Sequence, residues 1–169
     1  MEQLQHFTAF FTGHRRIEPA ALFHLPRLLD ESLTELIEGG FDTFRAGGAL
    51  GFDTMAALKT LEMKAKYPHI KLHLYLPCRD QDRLWNLDEM ELYHRIMSHA
   101  DAVHYTADFY RDGCMLQRNR EMADGCQLCV AYCHTTVGGS AYTLRYAQKK
   151  GIQLLNLAEM LPQNNEEGY

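Results

Sequence analysis

The chain has 169 residues, 46% of them hydrophobic and 23% charged, with 8 Phe, 9 Tyr, 12 Gly and only 5 Pro. That is enough for one ordinary globular domain, too little for two, and too apolar and aromatic for a disordered chain. Seventeen basic against 22 acidic residues give a formal charge of −5, whereas a chain living on a phosphodiester backbone usually carries a positive face, so a nucleic-acid partner is not expected.

Short apolar runs alternate with helical stretches throughout. Phe7 to Phe11 is the first expected strand, ending in Thr12-Gly13. A helix follows, with Leu22, Leu25, Leu29, Leu33, Leu36 and Ile37 at spacings of three and four. Pro26 is expected to divide it into a lead-in turn and a main helix, and Gly39-Gly40 closes it. A second strand, Phe41 to Ala46, runs into Gly47-Gly48. The next helix covers Phe52 to Lys66, with Met55, Leu58, Leu61 and Met63 inward, and a third strand covers Ile70 to Leu76. Gln81 to Ala100 reads as an amphipathic helix, Ala102 to Thr106 as a weak strand and Met115 to Ala123 as a helix. Gln127 to Cys133 is an apolar strand, Ser140 to Lys150 a helix and Ile152 to Leu157 the last strand.

This alternation predicts right-handed βαβ units. The expected fold is a single Rossmann-like, doubly wound α/β domain over residues 1–162, with a mainly parallel sheet covered by helices on both faces. A polar tail follows at 163–169. The longest uncharged stretch, Cys126 to Leu144, holds His134, several Thr and a Gly pair, so it is no bilayer span. No secretory signal opens the sequence, and a cytoplasmic location is expected. A homo-oligomer stays open.

Five cysteines (78, 114, 126, 129 and 133) are an odd number without a secretion signal, which speaks against a disulfide framework. Cys126-x2-Cys129-x3-Cys133-His134 has a metal-like spacing. On a strand, however, Cys129 and Cys133 stand roughly 13 Å apart, too far to share one zinc. No metal site is expected, and the thiols read as small buried hydrophobes.

In such sheets ligands bind beyond the carboxyl ends of the strands. After the first strand come Thr12, Gly13, His14 and Arg15, a tight turn with donors suited to a phosphate or carboxylate; an ordinary solvated loop is the alternative. After the second come Gly47, Gly48, Ala49, Leu50, Gly51, Phe52 and Asp53. Three glycines at a strand-to-helix turn suit a phosphate cradle. Their spacing matches neither the dinucleotide fingerprint nor the P-loop. Asp53 reads first as a helix cap and only second as a catalytic acid. Gly138, Gly139 and Ser140 repeat the same physics before the helix that carries Thr143. The two Gly turns are expected to hold one anion between them. Arg118 and Asn119 suit a base, ribose or phosphate, with surface ion pairing as the alternative.

The set of motifs is shared with a known family. Thr-Gly-His-Arg at 12–15, Gly-Gly-Ala-Leu-Gly-Phe-Asp at 47–53, Pro-x3-Gln-x3-Trp at 77–85, Arg-Asn-x2-Met-x-Asp at 118–124 and Gly-Gly-Ser-x2-Thr-x2-Tyr-Ala at 138–147 resemble the YpsA/YoqJ-type bacterial and phage proteins of the SLOG superfamily. Its named relatives are the DNA-processing protein DprA and the LOG nucleotide phosphoribohydrolases. The resemblance runs from about residue 7 to 157 and implies a Rossmann-like fold with a pocket for a nucleotide or nucleotide-derived ligand. It also brings Gln81 into the set of expected ligand contacts.

Two departures stand out. Arg16 replaces a frequent Pro. The LOG pattern Gly-Gly-x-Gly-Thr-x-x-Glu has Ala141 and Tyr142 for Gly-Thr, and Arg145 where the catalytic Glu belongs. A glycosidase needs a carboxylate, and an Arg cannot supply it. The first reading is therefore a protein that binds a small nucleotide-like ligand as sensor or regulator. The alternative is a LOG-like nucleotide N-glycosidase, with Asp53 or Glu121 as candidate catalytic carboxylates. A DprA-like single-strand DNA binder is the third reading. No cofactor beyond such a ligand is implied.

Overall fold

The computed structural model describes residues 6–162; the tail expected at 163–169 lies outside them. In chain order the elements are β1 (Phe7–Gly13), α1 (Pro19–Glu38), β2 (Phe41–Ala46), α2 (Phe52–Lys66), β3 (Lys71–Leu76), α3 (Leu87–His99), β4 (Ala102–Tyr105), α4 (Cys114–Ala123), β5 (Leu128–Tyr132), α5 (Gly139–Lys149) and β6 (Gln153–Asn156), followed by a 3-10 turn at Leu157–Met160. The six strands form one all-parallel sheet in the order β4-β3-β2-β1-β5-β6. The chain winds outward from β1 to β4, then crosses back to lay β5 on the other side of β1. The order therefore reverses between β1 and β5, where an open α/β sheet leaves a crevice at its carboxyl edge.

Strand alternation divides the core into two layers. Ala9, Phe11, Phe44, Leu72, Leu74, Val130 and Tyr132 pack with Leu25, Leu29 and Leu33 of α1, Ala56 of α2 and Ile96 of α3. Phe10, Cys129 and Ala131 face the other way, against Met122 and Ala123 of α4 and Ala147 of α5. Ala and Cys on this second face let α4 and α5 approach closely. Each large side chain taken fully out of water contributes about 1.5–3 kcal/mol, so the first layer carries most of the apolar stabilisation.

Three local expectations need correction. Pro26 does not divide the first helix, which runs unbroken from Pro19 to Glu38 with Pro26 inside it. Pro26 and Leu22 both sit on the solvent side, so the Leu22 carbonyl that loses its N–H partner faces water. The helix expected from Gln81 starts only at Leu87. Asn86 accepts from the Glu89 N–H at 2.9 Å, and Glu89 Oε1 accepts from the Asn86 N–H at 3.0 Å. This reciprocal cap fixes the start and leaves 79–85 as turns. Finally, Leu22 and Leu58 are exposed, and the buried positions of α2 include Ala56, Ala57 and Thr60 instead.

Candidate functional site

The loops that leave β1, β2, β3 and β5 share the carboxyl edge of the sheet, and α4 crosses beside them. The β1 loop is held from both sides: the His14 N–H donates to the Tyr132 carbonyl at 3.1 Å, and the Phe52 N–H donates to the His14 carbonyl at 3.1 Å. Gly51, the cap of α2, has φ +83°, and a Cβ there would overlap the Arg15 carbonyl oxygen. Only a bare backbone allows the two loops to touch.

Asp53 is the second residue of α2, not its cap, which corrects the capping expectation. Its Oδ2 accepts from the Ala49 N–H at 3.3 Å, and the Thr54 hydroxyl donates to the Ala49 carbonyl at 3.0 Å. The glycine loop thus spends an amide on a carboxylate of its own chain. Only 7% of Asp53 is exposed. Burial pushes its carboxyl up to about 6, against the opposing pull of Arg118 and the Ala49 N–H.

Arg118 is also buried, at 5% exposure. Its Nη1 donates to the Gly47 carbonyl and to the Tyr75 carbonyl at 3.1 Å, while Nε donates to Asn119 Oδ1 at 2.8 Å. It is neither a surface ion pair nor an unengaged cation. It fastens α4 to the carboxyl ends of β2 and β3. Gln81, 6% exposed, directs Nε2 to the Gly48 carbonyl and the Tyr93 hydroxyl at 3.4 and 3.3 Å, and its buried Oε1 has no partner among the described residues.

These groups border a cavity of about 640 Å³, within the usual range of small-molecule sites. Its wall takes Thr12, Gly13, His14 and Arg15 from the β1 loop, Ala49 and Asp53 from the next, and Gln81 from the loop after β3. Arg118 and Asn119 of α4 and Gly138, Gly139 and Ser140 at the start of α5 complete the expected residues found there. Both glycine-rich turns therefore reach one cavity. Four expected residues do not border it. Gly47 and Gly48 lie behind the wall, Gly51 serves the contact between loops, and Thr143 is buried with its hydroxyl on the Gly139 carbonyl at 2.9 Å. Glu121 is elsewhere: its carboxylate accepts from Thr106 at 2.7 Å, His104 at 3.1 Å and Gln117 at 3.0 Å. Burial works to raise its pKa, but those bonds hold the carboxyl below the usual range.

The α5 terminus differs from the α2 terminus. No side chain caps either helix start, but α2 carries Asp53 in its first turn and α5 carries no acid there, so the positive end of α5 opens on the cavity. His14 lines the same cavity. Its Nε2 accepts the His134 backbone N–H at 2.9 Å, which leaves the proton on Nδ1. Burial, then His134, lower its pKa, against Glu18. Arg145, in the position of the LOG glutamate, is exposed and donates to the Thr136 carbonyl at 2.9 Å.

Sequence reasoning left out Arg83, Trp85, Glu89, Met115 and Val137, which also line the cavity. Trp85 closes the Pro-x3-Gln-x3-Trp motif at 77–85, which brought Gln81 but not the indole into the expected contacts. Glu89 was hidden inside the helix expected from Gln81.

The YspA SLOG family model matches residues 11–158. A UPF0398 protein of Bacillus pumilus is 33% identical over 97 residues, 57% of this chain and 52% of the relative. The prophage-derived protein YoqJ of Bacillus subtilis is 30% identical over 128 residues, 68% and 75% of the two chains. Among solved structures, the DNA processing protein A of Helicobacter pylori, described for its single-stranded DNA binding mode, has a TM-score of 0.65 at 24% identity over 96% of this chain and 68% of that one. The protein of the same name from Streptococcus pneumoniae has a TM-score of 0.65 at 16% identity, over 89% and 50%. The chain thus spans about half the length of the Bacillus pumilus and Streptococcus pneumoniae proteins. At these identities the two solved structures speak for the fold.

Proposed function

This chain belongs to the YspA SLOG family, and from that premise we propose that it binds a nucleotide or nucleotide-derived small ligand in the cavity at the carboxyl edge of its sheet, as a sensor or regulator. The observation that carries the reading is the uncapped start of α5, whose Gly139 and Ser140 border the cavity. A phosphate there accepts backbone N–H bonds at the positive end of a helix. Arg15, on the opposite loop with its guanidinium 5.9 Å from the Trp85 ring centre, adds positive charge to the rim. The glycine loop after β2 has a different task in this reading. It already holds Asp53, so the anion goes to α5 alone.

The five cysteines are free and buried, which supports a cytoplasmic setting. No helix among the described residues is long and apolar enough to cross a membrane.

A LOG-like glycosidase remains the alternative because Asp53, raised to about 6, has the tuning of an acid–base group. The DNA binding described for the Helicobacter pylori protein speaks against dismissing nucleic acid on net charge alone. The stacked Arg83–Tyr110 and Arg79–Tyr105 pairs, at 4.6 and 4.3 Å, are of a kind that single strands use. Asp53 and Glu89 on the cavity wall favour the small ligand.

Calorimetric titration with the four common nucleoside 5′-monophosphates tests the proposal, using wild type and Ser140→Asp. The introduced carboxylate lies at the helix start, where it stabilises α5 by about 0.3–1 kcal/mol and repels a phosphate. Saturable binding by wild type, lost in a variant at least as stable, is expected. Equal binding by both would remove α5 as the anion site. Binding of an oligodeoxythymidine but of no monophosphate would transfer the reading to single-stranded DNA.

A further inference from the structure

The hydrogen bonding between β1 and β5 runs past the ends of both strands, and its last rung is made by a side chain. Strand pairing ends with Gly13 opposite Tyr132. The His14 N–H then donates to the Tyr132 carbonyl at 3.1 Å, and the His134 N–H donates back to His14 Nε2 at 2.9 Å. The ring orientation is fixed, because turning it over would set the Cε1 C–H against that N–H. The two imidazoles lie with centroids 4.3 Å apart. His14 borders the cavity of about 640 Å³, while His134 borders a separate groove of about 200 Å³ with Glu18 and His24. The paired rings therefore stand between the two.

The segment after Cys133 leads into the start of α5, and its attachment is uneven. Residue 133 is held to β6 from both sides: its N–H donates to Asn156 Oδ1 at 3.1 Å, and its carbonyl accepts from Asn156 Nδ2 at 2.8 Å. Residues 134–139 are all exposed, without an apolar anchor. Arg145 of α5 donates to the Thr136 carbonyl at 2.9 Å. Among the described residues, the bond to the His14 ring is the one hydrogen bond from 134–139 to the β1 loop.

We propose that this bond is an acid-released latch: a proton on the His14 ring puts a donor where the His134 N–H needs an acceptor, and frees the 134–139 loop, with the start of α5, from the β1 loop. The latch needs no ligand, and it stands whether or not the cavity takes a nucleotide. Burial favours the neutral ring and the neighbouring His134 adds to this, against Glu18. The latch is therefore closed at neutral pH and opens as pH falls through a value below the usual imidazole one. The other groups around the ring are the Tyr132 phenol, its ring edge-on at 5.5 Å, and Arg15 and Arg16, next in the chain. Asp53 of α2 and Arg118 of α4 lie on the same cavity wall. Asp53 titrates nearby, at about 6, so a variant that keeps Asp53 and removes the imidazole separates the two.

Solvent exchange of the His134 amide, read by NMR on the free protein, tests this in wild type, His14→Gln and His14→Phe. The Gln carbonyl reaches the place of Nε2 and takes no proton, so its latch stays closed; Phe keeps the ring shape and offers no acceptor. Wild type and His14→Gln should exchange within about threefold of each other near pH 8, and wild type about tenfold faster near pH 4.5, where it matches His14→Phe. Comparison at equal pH cancels the intrinsic pH dependence of exchange. His134→Ala keeps the backbone N–H and removes the neighbouring charge, so release should move to higher pH. In wild type alone, the His14 ring nitrogens and the His134 amide should titrate with one midpoint. Separate midpoints, the same pH response in His14→Gln, or wild type matching either variant at both pH values would overturn the latch.

Discussion

Arg118 Nη1 donates to the Gly47 carbonyl, and Gly47 has no side chain to spare: a Cβ there would lie 2.8 Å from that same nitrogen and 2.9 Å from Asp53 Oδ2. A buried cation, a buried acid and a bare backbone thus meet at one point, where α4 joins the end of β2. The arrangement shows how a residue with the composition of a ligand contact can be engaged first in holding the cleft together.

Arg118→Met follows directly. The stem of the side chain is kept, but the bonds to the Gly47 and Tyr75 carbonyls are lost. Hydrogen bonds to charged groups are worth about 1.5–3 kcal/mol each, so a loss of about 3 kcal/mol or more is expected in urea unfolding. Wild-type stability in this variant would mean that the guanidinium does not fasten α4.

Asp53 sets a pH dependence of unusual sign for a carboxylate. The folded chain holds the proton up to about 6, against 3.8 in the unfolded chain. Wild type is therefore most stable, as far as this group is concerned, at and below pH 4, and loses that contribution as pH rises toward and past 6. The difference corresponds to about 3 kcal/mol. Asp53→Asn removes the charge, so it should be more stable than wild type at pH 7 by up to that amount. The gap should close as pH falls from 6 to 4. Denaturant titrations of both proteins across that range measure it, and a variant less stable at pH 7 would refute the burial argument.

The strand–helix order and nearly every element boundary were readable from the sequence, because both layers of the core are written in strict alternation: Phe11, Phe44 and Val130 on one face, Phe10 and Cys129 on the other. The post-strand loops were readable for the same reason, since a parallel sheet delivers them to one edge. Pairing was not. Nothing local to Asp53 shows that its partner is the Ala49 amide, or local to Arg118 that it is spent on carbonyls 43 and 71 residues away. Glu89 was missed because helical periodicity ran back to Gln81 and concealed a start that depends on the Asn86 cap.

Gly51→Ala tests the contact between the first two loops. Positive φ alone costs a non-Gly residue of order 1 kcal/mol or more, and the added methyl meets the Arg15 carbonyl oxygen. A loss of at least about 2 kcal/mol is expected from thermal unfolding. Gly125 also has positive φ, +82°, yet a Cβ there would meet nothing within 4 Å. Gly125→Ala should therefore cost clearly less, and equal losses would deny the loop contact.

The cysteines give a chemical readout of the core. All five are buried, at 0–6% exposure. Burial pushes the Cys78 and Cys126 thiols up to about 11 and the Cys129 thiol well above its usual value. Native protein should take up maleimide slowly at pH 7, and all five thiols should react at once in denaturant. Rapid labelling of any of them in the native state would show a wall that opens.

The two sides of the cleft belong to opposite layers of the molecule and to distant parts of the chain: residues 12–53 and 81–89 on one hand, 115–140 on the other. No fragment with only one of these groups holds a complete site. An occupant bound across it would engage the finished fold alone and raise its stability in proportion to the logarithm of its own concentration. Susceptibility to proteases would then fall as the small molecule accumulates, and the amount of intact chain would itself record how much ligand was present.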